Sequence, residues 1–463
     1  MAQNKISQFF SARDMTTGST AGAIIQFTIP LLIGNIAQQL YSTVDSIVVG
    51  KYVGDNALAA VGASGPVTNL LLVLFVGIST GAGIMVSQYF GARDSQMLSK
   101  TIGNTLVMTL IAGIVMTVMG VLLSRPFLEL LDTPVEILDM AADYLRIIFI
   151  GIIAFAFYNI LSGILRGLGD SFMPLVFLLV CCAMNIVLDL LFVAGFKMGV
   201  AGAAWATILS WLVSAVLCLL KIARMKEELG LEFHHLKLEG KLCKELIMLG
   251  LPSGLTQAIF SMSMLVVQSL TNSLGTDVIA CNTIIMRVDG FAMMPNFSFG
   301  MAMTTFVGQN VGANRLDRVV EGNKNGLKLG IGTSAVLVLC LILFGKYLIE
   351  MFTSTPALIT LSNQMLRLLA VGYIAMAVTQ ILSGTMRGAG DTVSPMWISL
   401  ITTVVIRVPI AYLLAYLTRN EARPHGEPYT LFLSMLISWV AGAAITVLVF
   451  RLGRWKRRAL VNQ

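Results

Sequence analysis

Twelve long apolar runs, separated by short polar stretches, divide the chain at roughly 24–49, 57–88, 101–124, 138–165, 172–194, 199–222, 246–273, 278–309, 327–349, 358–386, 393–418 and 429–450. Each approaches or exceeds the roughly 20 residues that a helix needs to cross a bilayer. Several are longer than about 25 residues, an excess that tilt or a cytosolic extension absorbs. No polar stripe interrupts them at helical spacing, so none carries the solvated face of a soluble amphipathic helix. The pattern predicts an all-α membrane protein with twelve transmembrane helices. The longest polar stretch, Lys221 to Glu245, falls midway and reads as an amphipathic connector. The expected organisation is a cytosolic N-terminus (1–22), a first lobe of six spans (23–222), a cytosolic linker (223–245), a second lobe of six spans (246–452) and a cytosolic tail (453–463).

Composition agrees. Apolar residues make up 56% of the 463 residues and charged ones only 12%, with mean hydropathy +0.83. A soluble globular protein carries about 25% charged residues, so lipid is the natural solvent here. The net charge of +7 is explained by membrane orientation, and nucleic acid is not an expected partner. With the N-terminus inside, the cytosolic segments hold Lys5, Arg13, Arg93, Lys100, Arg166, the basic linker residues, Arg315 to Lys328, Arg387 and Arg451 to Arg458. Opposite lie only Lys51, Arg125, Lys197, Lys346, Arg419 and Arg423. This bias puts both termini in the cytosol of a multi-pass inner (plasma) membrane protein. The polar start, Met1 to Thr20, lacks the short apolar core of a cleaved signal, so the first span is expected to be retained. Of the six cysteines, five lie in apolar runs and none forms C-x-x-C, which predicts packed thiols. His234 and His235 are adjacent, so their rings are expected to diverge in a solvated linker rather than hold a metal.

The two halves repeat each other. YLRIIFIGIIAFAFYNILSGILRGLGDSFMP (144–174) aligns with MLRLLAVGYIAMAVTQILSGTMRGAGDTVSP (365–395), and about half the positions are identical. GARD (91–94) meets GANR (312–315), and Pro30 meets Pro252 after one slip. An even number of spans per copy returns the chain to its starting side. The copies should therefore share topology about a pseudo-two-fold along the membrane normal, with a cleft between lobes that can rock. In RGLGD and RGAGD, Gly is expected to end one helix at positive φ and Asp to cap the next. Small-residue pairs such as Gly77/Gly81 and Gly250/Gly254 predict close helix contacts.

Ionisable groups inside spans cost about 2.5–3.5 kcal/mol each to insert and mark candidate sites. They are Asp45 in span one, Asp189 in span five, Arg287 and Asp289 in span eight and Arg407 in span eleven, with Arg146 and Arg367 near the outer ends of spans four and ten. Asn185 and Asp189 are four apart and share a helix face. Two carboxylates with amide oxygens can hold Na⁺ through hard oxygen ligands or share a proton. The repeat mates of Asp189 and Asp45 are Ile410 and Val266 or Val267, so this acidic pair belongs to one lobe only. Asn159 and Gln380 are amide mates in spans four and ten. Asp289 and Arg407 are candidates to pair across the second lobe. No GxxxxGK[ST], HExxH or GxSxG occurs, so neither ATP hydrolysis nor enzyme chemistry is expected, and transport must draw on an ion gradient.

Twelve spans in two equivalent halves, with IPLLIGNIAQQLYSTVDSIVVG in span one, YLRI and RGLGD around span four and NIVLD in span five, resemble the multidrug and toxic compound extrusion (MATE) family over about residues 20–455. The resemblance implies antiport of cationic, amphipathic small molecules against H⁺ or Na⁺ by alternating access, with no cofactor. It implies a first-lobe cation site to which Asp45, Asn185 and Asp189 correspond, Asn159 and Thr207 more loosely. A second-lobe site used by some members needs a Glu in span seven and an Asp in span ten. Here Gln257 takes the first position and no acid the second. Gln257, Arg287, Asp289, Met293 and Arg407 are assigned to the substrate cleft or lobe interface, and Pro30 to a hinge. Arg287, Asp289 and Arg407 have no counterpart in the family pattern. They keep open an alternative, a lipid-linked glycan flippase of the same superfamily. A monomer in contact with membrane lipid is expected.

Overall fold

A computed structural model of the chain describes residues 14–131, 133–421, 423–457 and 460. Of the expected cytosolic ends, residues 1–13, 458–459 and 461–463 lie outside the described residues. The helices are α1 (Thr20–Tyr52), α2 (Asp55–Gly91), α3 (Ser95–Leu130), α4 (Val135–Ile150), α5 (Ile152–Gly167), α6 (Phe172–Asp189), α7 (Gly199–Arg224), α8 (Gly240–Ser273), α9 (Thr276–Gly312), α10 (Leu316–Glu350), α11 (Pro356–Gly388), α12 (Val393–Leu400), α13 (Val408–Leu417) and α14 (Tyr429–Arg451). A π-helical turn, Leu190–Gly195, extends α6, and another, Ile401–Arg407, joins α12 to α13. Among the described residues eleven helical segments are long and apolar enough to cross a membrane, and the bent pair α4–α5 makes the twelfth. The expected twelve spans are therefore present, with one broken by 49°. The break falls at Gly151, where the Ile208 side chain occupies the place of a Cβ, 2.1 Å from it.

The helices are apolar outside and small inside. On α3, Ile111, Ile114, Val115, Val118 and Leu122 face outward, while Thr101, Thr105, Thr109, Gly113, Gly120 and Ser124 are buried. The buried hydroxyls of Thr105 and Thr109 donate to the carbonyls four residues back, both at 2.7 Å. Lipid offers no hydrogen bonds, so this local satisfaction is what lets polar residues sit inside a span.

Two compact units form, one on Ile29–Gly254 and the other on Met15–Thr28 with Leu255–Gln463. α1 thus contributes residues to both, and Pro30, which supplies no N–H to the helical ladder, stands next to the division. Each unit is held by a seam of glycines that lets helix backbones approach closely. In the first, a Cβ on Gly163 would lie 2.6 Å from Ser79 O, and one on Gly167 2.7 Å from Gly83 O. In the second, a Cβ on Gly384 would lie 2.2 Å from Gly300 O, and one on Gly388 2.3 Å from Thr304 O. The duplicated motif is accordingly both the seam and the turn. Gly169 and Gly390 take φ of 88° and 96°. Asp170 Oδ1 accepts the Met173 N–H at 2.9 Å and Asp391 Oδ1 the Ser394 N–H at 3.1 Å, as the sequence leads one to expect. A further seam joins α2 to the start of α8, where a Cβ on Gly77 would meet Gly250 O at 2.6 Å.

The linker corrects one expectation. It is not fully solvated: His235 is buried, with its Nδ1 2.9 Å from Ser99 Oγ. The two imidazole rings do not diverge either, since their centroids are 4.9 Å apart. Adjacent residues in a tight 3₁₀ turn that packs on α3 are forced together by the docking. Asn104 Oδ1 on α3 accepts the Glu239 N–H at 2.8 Å and the Cys243 thiol at 3.2 Å. Asn104→Leu would strand both donors, at a cost of about 1–3 kcal/mol. Limited proteolysis should then cut within residues 225–240 faster than in the wild type. An unchanged cleavage rate would show that Asn104 does not hold the linker.

Ahead of α1, residues 15–18 are strapped into the second unit. The Arg318 guanidinium donates to the carbonyls of Gly18, Met15 and Thr17 at 2.9, 3.1 and 3.2 Å. Gln309 Oε1 accepts the Met15 N–H at 2.9 Å.

Candidate functional site

In the first unit, α1 and α6 bring Asp45 and Asp189 together. Asp189 and Asn185 are fully buried, and the Asp45 carboxyl lies within hydrogen-bonding range of that of Asp189. Asn185 and Asp189 share a face of α6 because they are one turn apart. The Asn185 amide is assigned with its nitrogen toward Asp189, since the reverse would set oxygen against oxygen. Nδ2 then donates to Asp189 Oδ2 at 2.7 Å, and the side-chain oxygen accepts the Thr207 N–H at 3.2 Å. The Thr207 hydroxyl donates to Ala203 O at 2.9 Å. Oδ1 of Asp45 and Oδ1 of Asp189 are both buried and have no hydrogen-bond partner. An apolar cluster containing Val48, Val49, Val193 and Val200 flanks the pair. Two bare carboxylates in such surroundings repel strongly, and one bound cation removes the repulsion. Binding one cation would change the charge of this pair by one unit.

Sequence reading missed two members. Tyr41 lies near Thr207 and Asp45, and Tyr144 lies close enough to both acids to feel their charge. Tyr41 is four residues before Asp45, a spacing that identifies it as a same-face neighbour. Asn159 is placed differently from the others: its Nδ2 donates to Phe155 O at 2.9 Å, within its own helix, and its backbone oxygen accepts from Ser79 Oγ at 2.6 Å. No bond joins it to either acid.

The second unit holds a cavity of about 130 Å³. Gln257 and Arg407 line it, Arg407 being the last residue of the π turn after α12. Wide helical turns of this kind recur at functional positions. Asp289 is buried and accepts the Tyr373 hydroxyl. The direct Asp289–Arg407 pair anticipated from sequence is not formed within 4.0 Å. The Arg407 guanidinium instead faces the thioethers of Met435 and Met264 at 3.4 and 3.8 Å. Met293 is packed in the core with Tyr373 and Trp439, and Arg287 is exposed on α9. Gln257 and Arg407 are thus brought together, while Arg287 and Met293 stay apart from that cavity.

Comparison with known proteins follows the same division. The MatE family pattern matches residues 30–191 and again 252–413, so its two copies begin at Pro30 and Pro252. YpnP of Bacillus subtilis, described as a probable multidrug resistance protein, is 30% identical over 98% of this chain and 99% of its own length. YoeA of the same organism, described likewise, is 29% identical over 85% of this chain and 87% of its own. A crystal structure of MATE in the straight conformation superposes with a TM-score of 0.88 at 24% identity, covering 96% of this chain and 98% of the other, which is a likeness of fold. A duplicated pattern over both halves, twelve spans and end-to-end likeness to YpnP lead to one assignment: this multi-pass membrane protein belongs to the MATE family.

Proposed function

We propose that the protein is a secondary active multidrug exporter that releases cationic, amphipathic compounds outward in exchange for H⁺ or Na⁺. It acts as a monomer in the plasma membrane, with both termini in the cytosol. The observation that carries this reading is the Asp45–Asp189 pair with its two buried, unpartnered oxygens. A cation arriving from outside neutralises the pair. α1 then repacks about Pro30, the two lobes rock, and the substrate leaves. When the cation is released inward, the repulsion returns and resets the cycle. The names of YpnP and YoeA support the export of drug-like molecules, and the absence of a phosphate loop from the sequence supports a gradient as the source of energy. The residue pattern fits 23–222 and 246–452 as the two lobes.

The test is dye efflux from proteoliposomes under proton and sodium gradients imposed separately. Efflux of ethidium driven by one gradient and not by its collapse is expected, and the effective gradient names the ion. Equal dye movement with and without either gradient would overturn the reading.

A further inference from the structure

We propose that the cavity of the second unit is a binding site for the anionic head group of an amphipathic small molecule, with Arg407 as its principal contact. The cavity wall contains two guanidinium groups, Arg387 and Arg407, and no carboxylate. Arg407 is only 4% exposed, and its Nε has no hydrogen-bond partner. Its other nitrogens touch sulfur alone, a weak acceptor. Arg387 makes no ion pair within 4.0 Å among the described residues. The nearest acid to Arg407, Asp289, acts on it from beyond ion-pairing distance and is occupied by Tyr373.

A buried guanidinium without an oxygen partner is costly, and a carboxylate, sulfonate or phosphate that supplies one forms a strong, forked contact. Phe260, Phe297 and Trp439 give the same cavity an aromatic wall. An aromatic body with one negative end satisfies both halves of this wall. A purely cationic body does not, because it would meet two like charges. Compounds carrying both signs therefore enter the substrate range. This rests on the export reading for the direction of transport only. Binding is read at equilibrium, so a failure of efflux and a failure of this site are told apart.

The experiment compares two probes with one aromatic body and opposite heads, naphthylacetate and naphthylmethylamine. Their affinities for the full chain in phosphatidylcholine nanodiscs are measured by calorimetry. Naphthylacetate should bind to the wild type. Its affinity should fall roughly tenfold to hundredfold in Arg407→Met, the scale of one charge-assisted contact. A smaller loss is expected in Arg407→Lys, which keeps the charge and loses the fork. Naphthylmethylamine should bind Arg407→Met no more weakly than the wild type. Gly442→Leu, on another helix, fills the cavity and should weaken naphthylacetate too, so the site remains testable if Arg407→Met does not fold. Adding phosphatidylglycerol to the discs distinguishes the source of the head group: competition assigns it to lipid, and no competition to a soluble amphipath, the expected result. Equal naphthylacetate affinity in the wild type, Arg407→Met and Gly442→Leu would overturn the proposal.

Discussion

Replacing Asp189 by Asn should abolish cation-driven efflux while leaving the protein folded. Asn has the shape of Asp, and its amide oxygen can still accept from Asn185 Nδ2, now 2.7 Å from the carboxylate. The packing is kept and the charge is lost. Without that charge the pair can no longer alternate between a repelling and a neutralised state, and the loss of one charged contact to the cation is about 3 kcal/mol, or roughly two orders of magnitude in coupled rate. Asp45→Asn should behave alike. The double variant should be little worse than either single one, because the two acids act as a unit. Coupled efflux in proteoliposomes and a melting curve on the same samples decide the matter. Normal coupled efflux in both single variants would reduce the pair to a packing device.

The largest effect on stability is expected at Gly384. A Cβ there would meet Gly300 O at 2.2 Å and Gly300 Cα at 3.1 Å, backbone on both counts, so nothing flexible can give way. Gly384→Ala should cost about 3 kcal/mol or more, at or beyond the upper end of ordinary overpacking. Gly163→Ala, its mate, should be damaging to a lesser degree: the Ser79 hydroxyl, 2.5 Å from the added atom, can rotate away, but Ser79 O at 2.6 Å cannot. Gly332 supplies the control. Nothing lies within 4 Å of a Cβ there, so Gly332→Ala should gain about 0.5–1 kcal/mol from helix propensity alone. Reversible unfolding in mixed micelles measures all three. A Gly384→Ala protein as stable as Gly332→Ala would show that the α9–α11 seam is looser than described.

Much of this was legible in the chain. Span count follows from run length alone, because a bilayer sets one number for every helix. The internal repeat located the seam glycines, though not their purpose: a glycine conserved between halves can mark a turn or a contact, and Gly163 and Gly384 serve contact while Gly169 and Gly390 serve turns. The Asp45–Asn185–Asp189 grouping rested on helical spacing and family resemblance, and those residues do converge. What stayed hidden depends on neighbours distant in sequence. Gly151 and Gly372 are repeat mates, yet only the first breaks its helix. The docking of His235 and the Arg318 strap each join segments that share no periodic pattern. Arg407 was visible as an intramembrane charge. That its surroundings are thioethers rather than Asp289 is a matter of packing, which periodicity does not encode.

The glycine seams have an evolutionary consequence. Where two helices meet backbone to backbone, their grip is indifferent to what the remaining faces carry. After duplication the chain kept its grip residues and let the interior drift: Asp189 stands where the other copy has Ile410, and Arg407 where the first has Ile186. One ancestral skeleton could in this way yield an acidic chamber and a basic one, with the inversion of polarity costing the architecture nothing.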